Sequence, residues 1–164
     1  MNYASIRKYD TSNWDGINTT IFFSGCKFKC PGCFNSEAQD FNYGKVFDKD
    51  AEDLFISYAK DPHSRGVCIL GGEVFQQPLH RIKHLLVRLK YDVKKPIHVW
   101  TGYKFEDLLD DPIKSELLFF IDTLVDGQFE QSKKDLSLKF RGSSNQRVID
   151  VQKSLKLGKI ILIK

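Results

Sequence analysis

Four short apolar runs recur along this chain, and each is closed by a glycine-bearing motif. Thr19–Phe23 ends in Ser24-Gly25, Gly66–Leu70 in Gly71-Gly72-Glu73, Ile97–Trp100 in Thr101-Gly102-Tyr103, and Thr123–Val125 in Asp126-Gly127. Runs of this length, rich in β-branched and aromatic residues and stopped by glycine, predict buried strands. The intervals carry a helical period instead. Over Asp50–Lys60, Ala51, Leu54, Phe55 and Tyr58 share a face, with acids at the front and a lysine at the back, as the helix dipole favours. From about Gln77 to Tyr91, Leu79, Ile82, Leu85, Leu86 and Leu89 do the same. Two shorter helical pieces, Phe105–Leu109 and Ile113–Phe120, precede the fourth strand. A polar loop, Gln128–Gln146, and two late strands, Arg147–Val151 and Lys159–Ile163, follow it. Strand–helix alternation with apolar strands predicts a parallel α/β sheet. Ligands of such sheets sit beyond the carboxyl ends of the strands. The four glycine motifs would then share one rim.

The first motif carries chemistry. Cys26, Cys30 and Cys33 follow the first run with C-x3-C-x2-C spacing. Three soft thiolates on one short loop can hold three corners of an iron–sulfur cube, leaving one iron without a protein ligand. Structural zinc would need a fourth ligand from far along the chain, such as Cys68 or His63. Cys30-Pro31-Gly32-Cys33 alone would suit thiol–disulfide exchange, but Cys26 is surplus to it. Cys68 lies inside a predicted strand and reads as a small core residue. Four cysteines in 164 residues are too sparse for a disulfide framework, and Met1–Ile6 has no apolar signal-peptide core. A reducing cytoplasm is therefore expected.

With 41% hydrophobic residues, the chain can build a real core as one domain over 1–164. No segment is apolar enough for a membrane span. The net charge is +4 (25 basic, 21 acidic), and the basic residues are scattered. That excess does not argue for a nucleic-acid groove. The four histidines share no spacing and receive no role.

Taken together, the rim motifs resemble those of the radical S-adenosylmethionine enzymes. The cysteine spacing is that superfamily's cluster motif, and Gly71-Gly72-Glu73 matches its glycine–glycine–glutamate motif. The likeness sharpens in the pattern C-x3-C-x-G-C-x-N through Gly32 and Asn35, and in Trp100-Thr101-Gly102-Tyr103 and Val125-Asp126-Gly127-Gln128-Phe129. With Phe140-Arg141-Gly142-Ser143-Ser144-Asn145-Gln146, these look like the glycyl-radical activating enzymes of anaerobic ribonucleoside-triphosphate reductase. The match runs from about Ile6 to Ile149. Two positions depart from the wider superfamily. Gly32 stands where an aromatic often precedes the third cysteine, with Phe34 after it, and Val74 stands where proline often follows the glutamate.

The resemblance implies a 4Fe-4S cluster on Cys26, Cys30 and Cys33, its open iron chelated by the amino and carboxylate groups of S-adenosylmethionine. It implies a cofactor site at Gly32, Cys33, Phe34, Gly71, Gly72, Glu73, Thr101 and Asp126. Glu73 would accept a hydrogen bond from the ligand's ammonium; otherwise it caps the helix that follows. The implied partners are the reductase, which carries the glycine, and an electron donor such as a flavodoxin, with no nucleic acid and no membrane. The implied fold is an incomplete, open parallel βα barrel of about five or six strands. Two alternatives stay open: a related enzyme acting on a small molecule, and a zinc-stabilised interaction module. Segment 128–145 reads either as a solvated loop or as a contact for the reductase or S-adenosylmethionine. Lys27 and Lys29 either face water or offset the cluster's charge.

Overall fold

A computed structural model describes residues 1–163; Lys164 lies outside the described residues. Seven strands form one sheet: β1 (Asn2–Asp10), β2 (Asn18–Ser24), β3 (Lys45–Val46), β4 (Gly66–Gly71), β5 (Ile97–Trp100), β6 (Thr123–Asp126) and β7 (Arg147–Asp150), in the order β3-β1-β2-β4-β5-β6-β7. β2, β4, β5 and β6 run parallel. β1 is antiparallel to both β2 and β3, and β7 is antiparallel to β6.

The expected open parallel barrel of five or six strands is therefore corrected to a mixed sheet with a parallel centre and antiparallel flanks. The connections explain the difference. Parallel neighbours need a crossover of a dozen or more residues, usually helical. The helices α1 (Lys49–Ala59), α2 (Leu79–Arg88), α3 (Phe105–Asp110) and α4 (Pro112–Leu118) supply those crossovers. Between β6 and β7 the only helical piece is a 3-10 turn, Gln131–Lys133, so the chain doubles back. The late strand expected at Lys159–Ile163 is a single bridge, Leu162 to Ile149. Before it stands a helix the sequence reading missed, α5 (Val151–Leu157), capped by the Asp150 carboxylate and ended by left-handed Gly158. The second predicted helix begins at Leu79 rather than Gln77, behind Pro78, and relaxes into a π turn at Leu89–Val93.

Both faces of the parallel centre are covered. On one, Ile21, Phe23, Ile69, Val99 and Leu124 pack with Phe55, Leu85 and Leu117 of the helices. On the other, Phe22, Cys68 and Leu70 meet Trp14 and Trp100. There Trp14 stacks on His98 (4.2 Å) and on Phe140 (3.9 Å), which the 128–146 loop lays across the sheet. His98 is a buried core residue, its pKa pushed down to about 4 by burial.

Candidate metal centre

The four glycine motifs converge on one rim, because their strands are parallel neighbours. The Gly72 N–H donates to the Phe23 carbonyl (2.7 Å), Glu73 N–H to Gly25 (2.8 Å), and Gly127 N–H to Tyr103 (3.0 Å). Gln77 ties the corner, its amide donating to the Ser24, Gly25 and Glu73 carbonyls. A Cβ on Gly72 would run into the Gly25 backbone, so only glycine lets the two strand ends approach this closely.

The cysteine loop leaves β2 here. Cys26, Cys30 and Cys33 are free thiols, half-buried, and the loop turns through left-handed Lys29 and Gly32. The Cys33 N–H donates to the Cys30 carbonyl (3.2 Å), and the Lys27 N–H to the Gln76 side chain (2.6 Å). Burial pushes the Cys26 and Cys30 thiols up; the Phe129 N–H opposes it at Cys30. Cys68 is fully buried at the middle of the sheet, its pKa pushed up to about 12 by burial, which suits an inert core thiol. His63 is bonded to Asp61 and sits edge-on to Tyr9, in the region where β1 ends. Lys27 and Lys29 face solvent. Among the described residues no three Cys, His, Asp or Glu side chains already stand together as metal ligands. The donor set nevertheless fits an iron–sulfur cluster: three soft thiols on one loop with left-handed turning points, at an open rim.

Glu73 is not on the surface. It is 1% exposed, and its carboxylate accepts from Thr101 Oγ1 (2.8 Å), Gly102 N–H (2.7 Å) and Phe75 N–H (3.1 Å). It thus caps the 3-10 turn Val74–Gln76. Among the described residues no cation bonds it, and burial pushes its pKa up to about 7 against those hydrogen bonds. Thr101 serves Glu73 directly. Asp126 is equally buried, but its carboxylate accepts from Phe105 N–H (2.8 Å) and from the Nε and Nη2 edge of the Arg147 guanidinium. Phe34 points away from Glu73 in its contacts: 63% exposed, it meets Phe129 of the long loop edge-on at 5.6 Å.

The chain matches the family described as 4Fe-4S single cluster domain over residues 12–149. It is 37% identical over 155 residues to the anaerobic ribonucleoside-triphosphate reductase-activating protein of Pasteurella multocida, covering 89% of this chain and 95% of that one. The protein of the same name from Escherichia coli K12 is 38% identical (90% and 97% covered), and that of Enterobacteria phage T4 is 32% identical (90% and 93%). This chain belongs to that family of activating proteins.

Membership of this family gives the chain a 4Fe-4S domain and an activating role. Among the described residues no helix is long and apolar enough to cross a membrane. Beside the cysteine loop the activating protein opens a cleft of about 930 Å3, reached by Cys30 and Asp126 of the anticipated residues, and by Phe28, Tyr103, Gln128 and Arg147, which were not anticipated. Phe28 and Tyr103 meet edge-on (4.9 Å), and Gly102 leaves room for the Phe28 ring. Tyr103 and Gln128 stood within quoted motifs. Arg147 carried no signal, because its partners Asp126 and Glu106 lie 21 and 41 residues away.

Proposed function

We propose that this chain activates anaerobic ribonucleoside-triphosphate reductase as a radical S-adenosylmethionine enzyme, with Cys26, Cys30 and Cys33 as the three protein ligands of a 4Fe-4S cluster. When bound, and reduced by a donor such as a flavodoxin, the cluster supplies one electron to the sulfonium of S-adenosylmethionine, releasing methionine and a 5′-deoxyadenosyl radical that takes a hydrogen from a glycine of the reductase. The chain's own residues bind and orient. Gly71 and Gly72 bring bare backbone to the rim, and Glu73 offers a buried carboxylate to the ligand's ammonium. Thr101 and the Gly102 N–H hold that carboxylate in place. Asp126 acts through Arg147, which lines the cleft. A cleft of about 930 Å3 has room for a loop of a partner protein, and a cytoplasmic setting keeps the thiols reduced.

The supporting observation is Glu73, a carboxylate buried at the rim beside the cysteine loop and bonded, among the described residues, only by neutral groups. A buried carboxylate without a cation is costly, and an arriving ammonium relieves that cost. The test is anaerobic reconstitution with iron and sulfide, then assays of S-adenosylmethionine cleavage and of the reductase radical by electron paramagnetic resonance. The expected result is an iron–sulfur protein that cleaves the ligand and leaves a glycyl radical on the reductase. Single Cys26→Ala, Cys30→Ala and Cys33→Ala variants should lose the cluster, and Cys68→Ala should keep it. A Cys68→Ala variant without iron beside a Cys26→Ala variant with it would overturn the assignment.

A further inference from the structure

The segment after β6 lies along the cysteine loop in a regular way. Alternate residues of the loop each meet it. Phe28 and Gln128 crowd the same bare face of Gly102, and the Cys30 sulfur stands 3.7 Å from the Gln128 side chain. Gly32 abuts Gln131, and Phe34 packs edge-on against Phe129 under the Lys134 ammonium (5.2 Å). Gly142 completes the contact. A Cβ there would stand 3.1 Å from both the Phe34 and Phe129 rings, closer than such contacts normally are, and its φ is not left-handed, so substitution there probes space alone.

The far end of the segment fixes that arrangement. The Gln146 amide donates to the Gly127 carbonyl (2.9 Å) while its oxygen accepts from the Gly142 N–H (2.9 Å). Asn145 donates to the Gln128 carbonyl (2.8 Å), and the Ser144 N–H to Lys133 (2.9 Å). These bonds leave Arg141–Gln146 holding residues 127–133 folded, and those residues in turn touch Cys30 and Phe34.

We propose that residues 128–146 are a clasp on the cysteine loop, with Phe129 and Gly142 as positioning residues that hold the loop around its metal group, and Asn145 and Gln146 as the side chains that keep the clasp folded. The inference rests on the iron–sulfur reading above and deepens it, because it concerns how the thiols are held rather than what they bind. Loops that differ only in packing open and close locally at little cost. A metal group bound by three thiolates of such a loop escapes through those openings, so loosening the clasp speeds its loss.

The experiment measures iron release to an excess of chelator from the full chain, reconstituted anaerobically, with thermal unfolding of each metal-free variant as a check on folding. Phe34→Ala, Phe129→Ala and Gly142→Ala should each release iron faster, about two- to tenfold, the worth of one aromatic edge contact. The decisive measurement is the double variant. Removing the Phe34 ring relieves one of the two close contacts of the methyl of Gly142→Ala, that with Phe129 remaining, so Phe34→Ala/Gly142→Ala should release iron more slowly than the two single effects combined. Phe129→Leu should recover much of the parent rate. Variants that release iron at the parent rate, or a double variant whose effects add in full, would overturn the clasp and leave the iron–sulfur reading standing. A parent chain that takes up no iron would overturn both. Gln146→Ala, which removes the bonds to Gly127 and Gly142, should also release iron faster, and if it does not fold, the Phe34–Gly142 cycle still decides the matter.

Discussion

Two carboxylates close neighbouring parts of the rim, both 1% exposed, and they are buried in opposite ways. Asp126, at the end of β6, is neutralised inside the chain: Arg147 meets it with two guanidinium nitrogens, and the Phe105 N–H adds a third bond. Glu73, just past β4, has three neutral donors and, among the described residues, no bonded cation. Lys114 lowers its pKa only weakly, less than any of the three hydrogen bonds, and that ammonium is already paired with Asp111. The difference separates scaffold from site. A buried charge with its own counter-ion holds the fold, and one without is in balance only when a cation arrives. On the proposed function that cation is the ammonium of S-adenosylmethionine.

The sharpest way to break the contrast is to remove the Asp126 counter-ion. Arg147→Ala leaves a buried carboxylate paired only with a backbone N–H. Breaking one side of a buried pair costs about 3–5 kcal/mol. The lower half of that range is expected, because the Arg147 side chain keeps 29% of its surface in water. Urea unfolding measures it. A loss near zero would mean that Asp126, once released, is rehydrated, and that the two carboxylates are not opposites.

The Glu73 side of the contrast shows in the pH dependence of the metal-free chain. The folded chain holds the Glu73 proton to about pH 7, while an unfolded glutamate releases it near 4.5. Between those values the folded state binds more protons. Stability contributed by this group is therefore full below about pH 4.5, falls as pH rises to about 7, and is level above. The difference between those values corresponds to about 3 kcal/mol, at 1.36 kcal/mol for each step of one in pKa. Glu73→Gln should flatten that decline, although it forfeits at least one accepted bond. An equal slope in parent and variant would show that Glu73 is ionised throughout.

A ligand measurement joins the two. Glu73→Ala should keep its iron and bind S-adenosylmethionine about tenfold to a hundredfold more weakly, the worth of one charge-assisted hydrogen bond. Calorimetry under anaerobic conditions reads it. An unchanged Kd would assign Glu73 to capping the Val74–Gln76 turn and to nothing else.

The contrast also marks how far the sequence could be read. The thiols and the Gly-Gly-Glu motif were legible because each is local, a spacing of a few residues after an apolar run. The parallel centre was legible for the same reason. The flanks were legible only in part: Arg147–Asp150 was expected as a strand, but β1, β3 and the antiparallel pairings were not. β1 carries little apolar signal, Tyr3 and Ile6 being its large apolar residues packed on the core, and register shifts at Tyr3/Ser5 and Arg7/Asp10 break its alternation. α5 was hidden although both its signals were present, the Asp150 cap and the Gly158 stop, because Val148 and Ile149 drew the reading into a strand. What Asp126 does depends on Arg147, which a different strand presents. A pairing that only the sheet creates leaves no mark in a linear pattern, so Asp126 could be placed on the rim but not assigned its partner. The long loop was legible as polar and unusual in length. That its residues alternate against the cysteine loop appears only once both are folded.

The smallest expected effect tests which carboxylate Arg147 serves. Its other edge meets Glu106 at 2.7 and 3.0 Å, and the Glu106 pKa is drawn down to about 2, chiefly by that guanidinium. Taken alone, the shift would make Glu106 a partner as strong as Asp126. Its side chain, however, is 52% exposed, and water and salt screen such a pair to about 0–1 kcal/mol. The exposure governs, because a solvated carboxylate released from Arg147 is rehydrated, whereas Asp126 is not. Glu106→Gln should therefore lower stability at neutral pH by less than about 1 kcal/mol. The sign follows from a depressed pKa: the contribution is present above about pH 4.5, fades as pH falls toward 2, and is absent below. Parent and variant should thus unfold alike in strong acid and differ slightly at pH 7, the more so at low salt. A loss in Glu106→Gln as large as that of Arg147→Ala would reverse the order, making Glu106 the anchor and Asp126 the group that gives way.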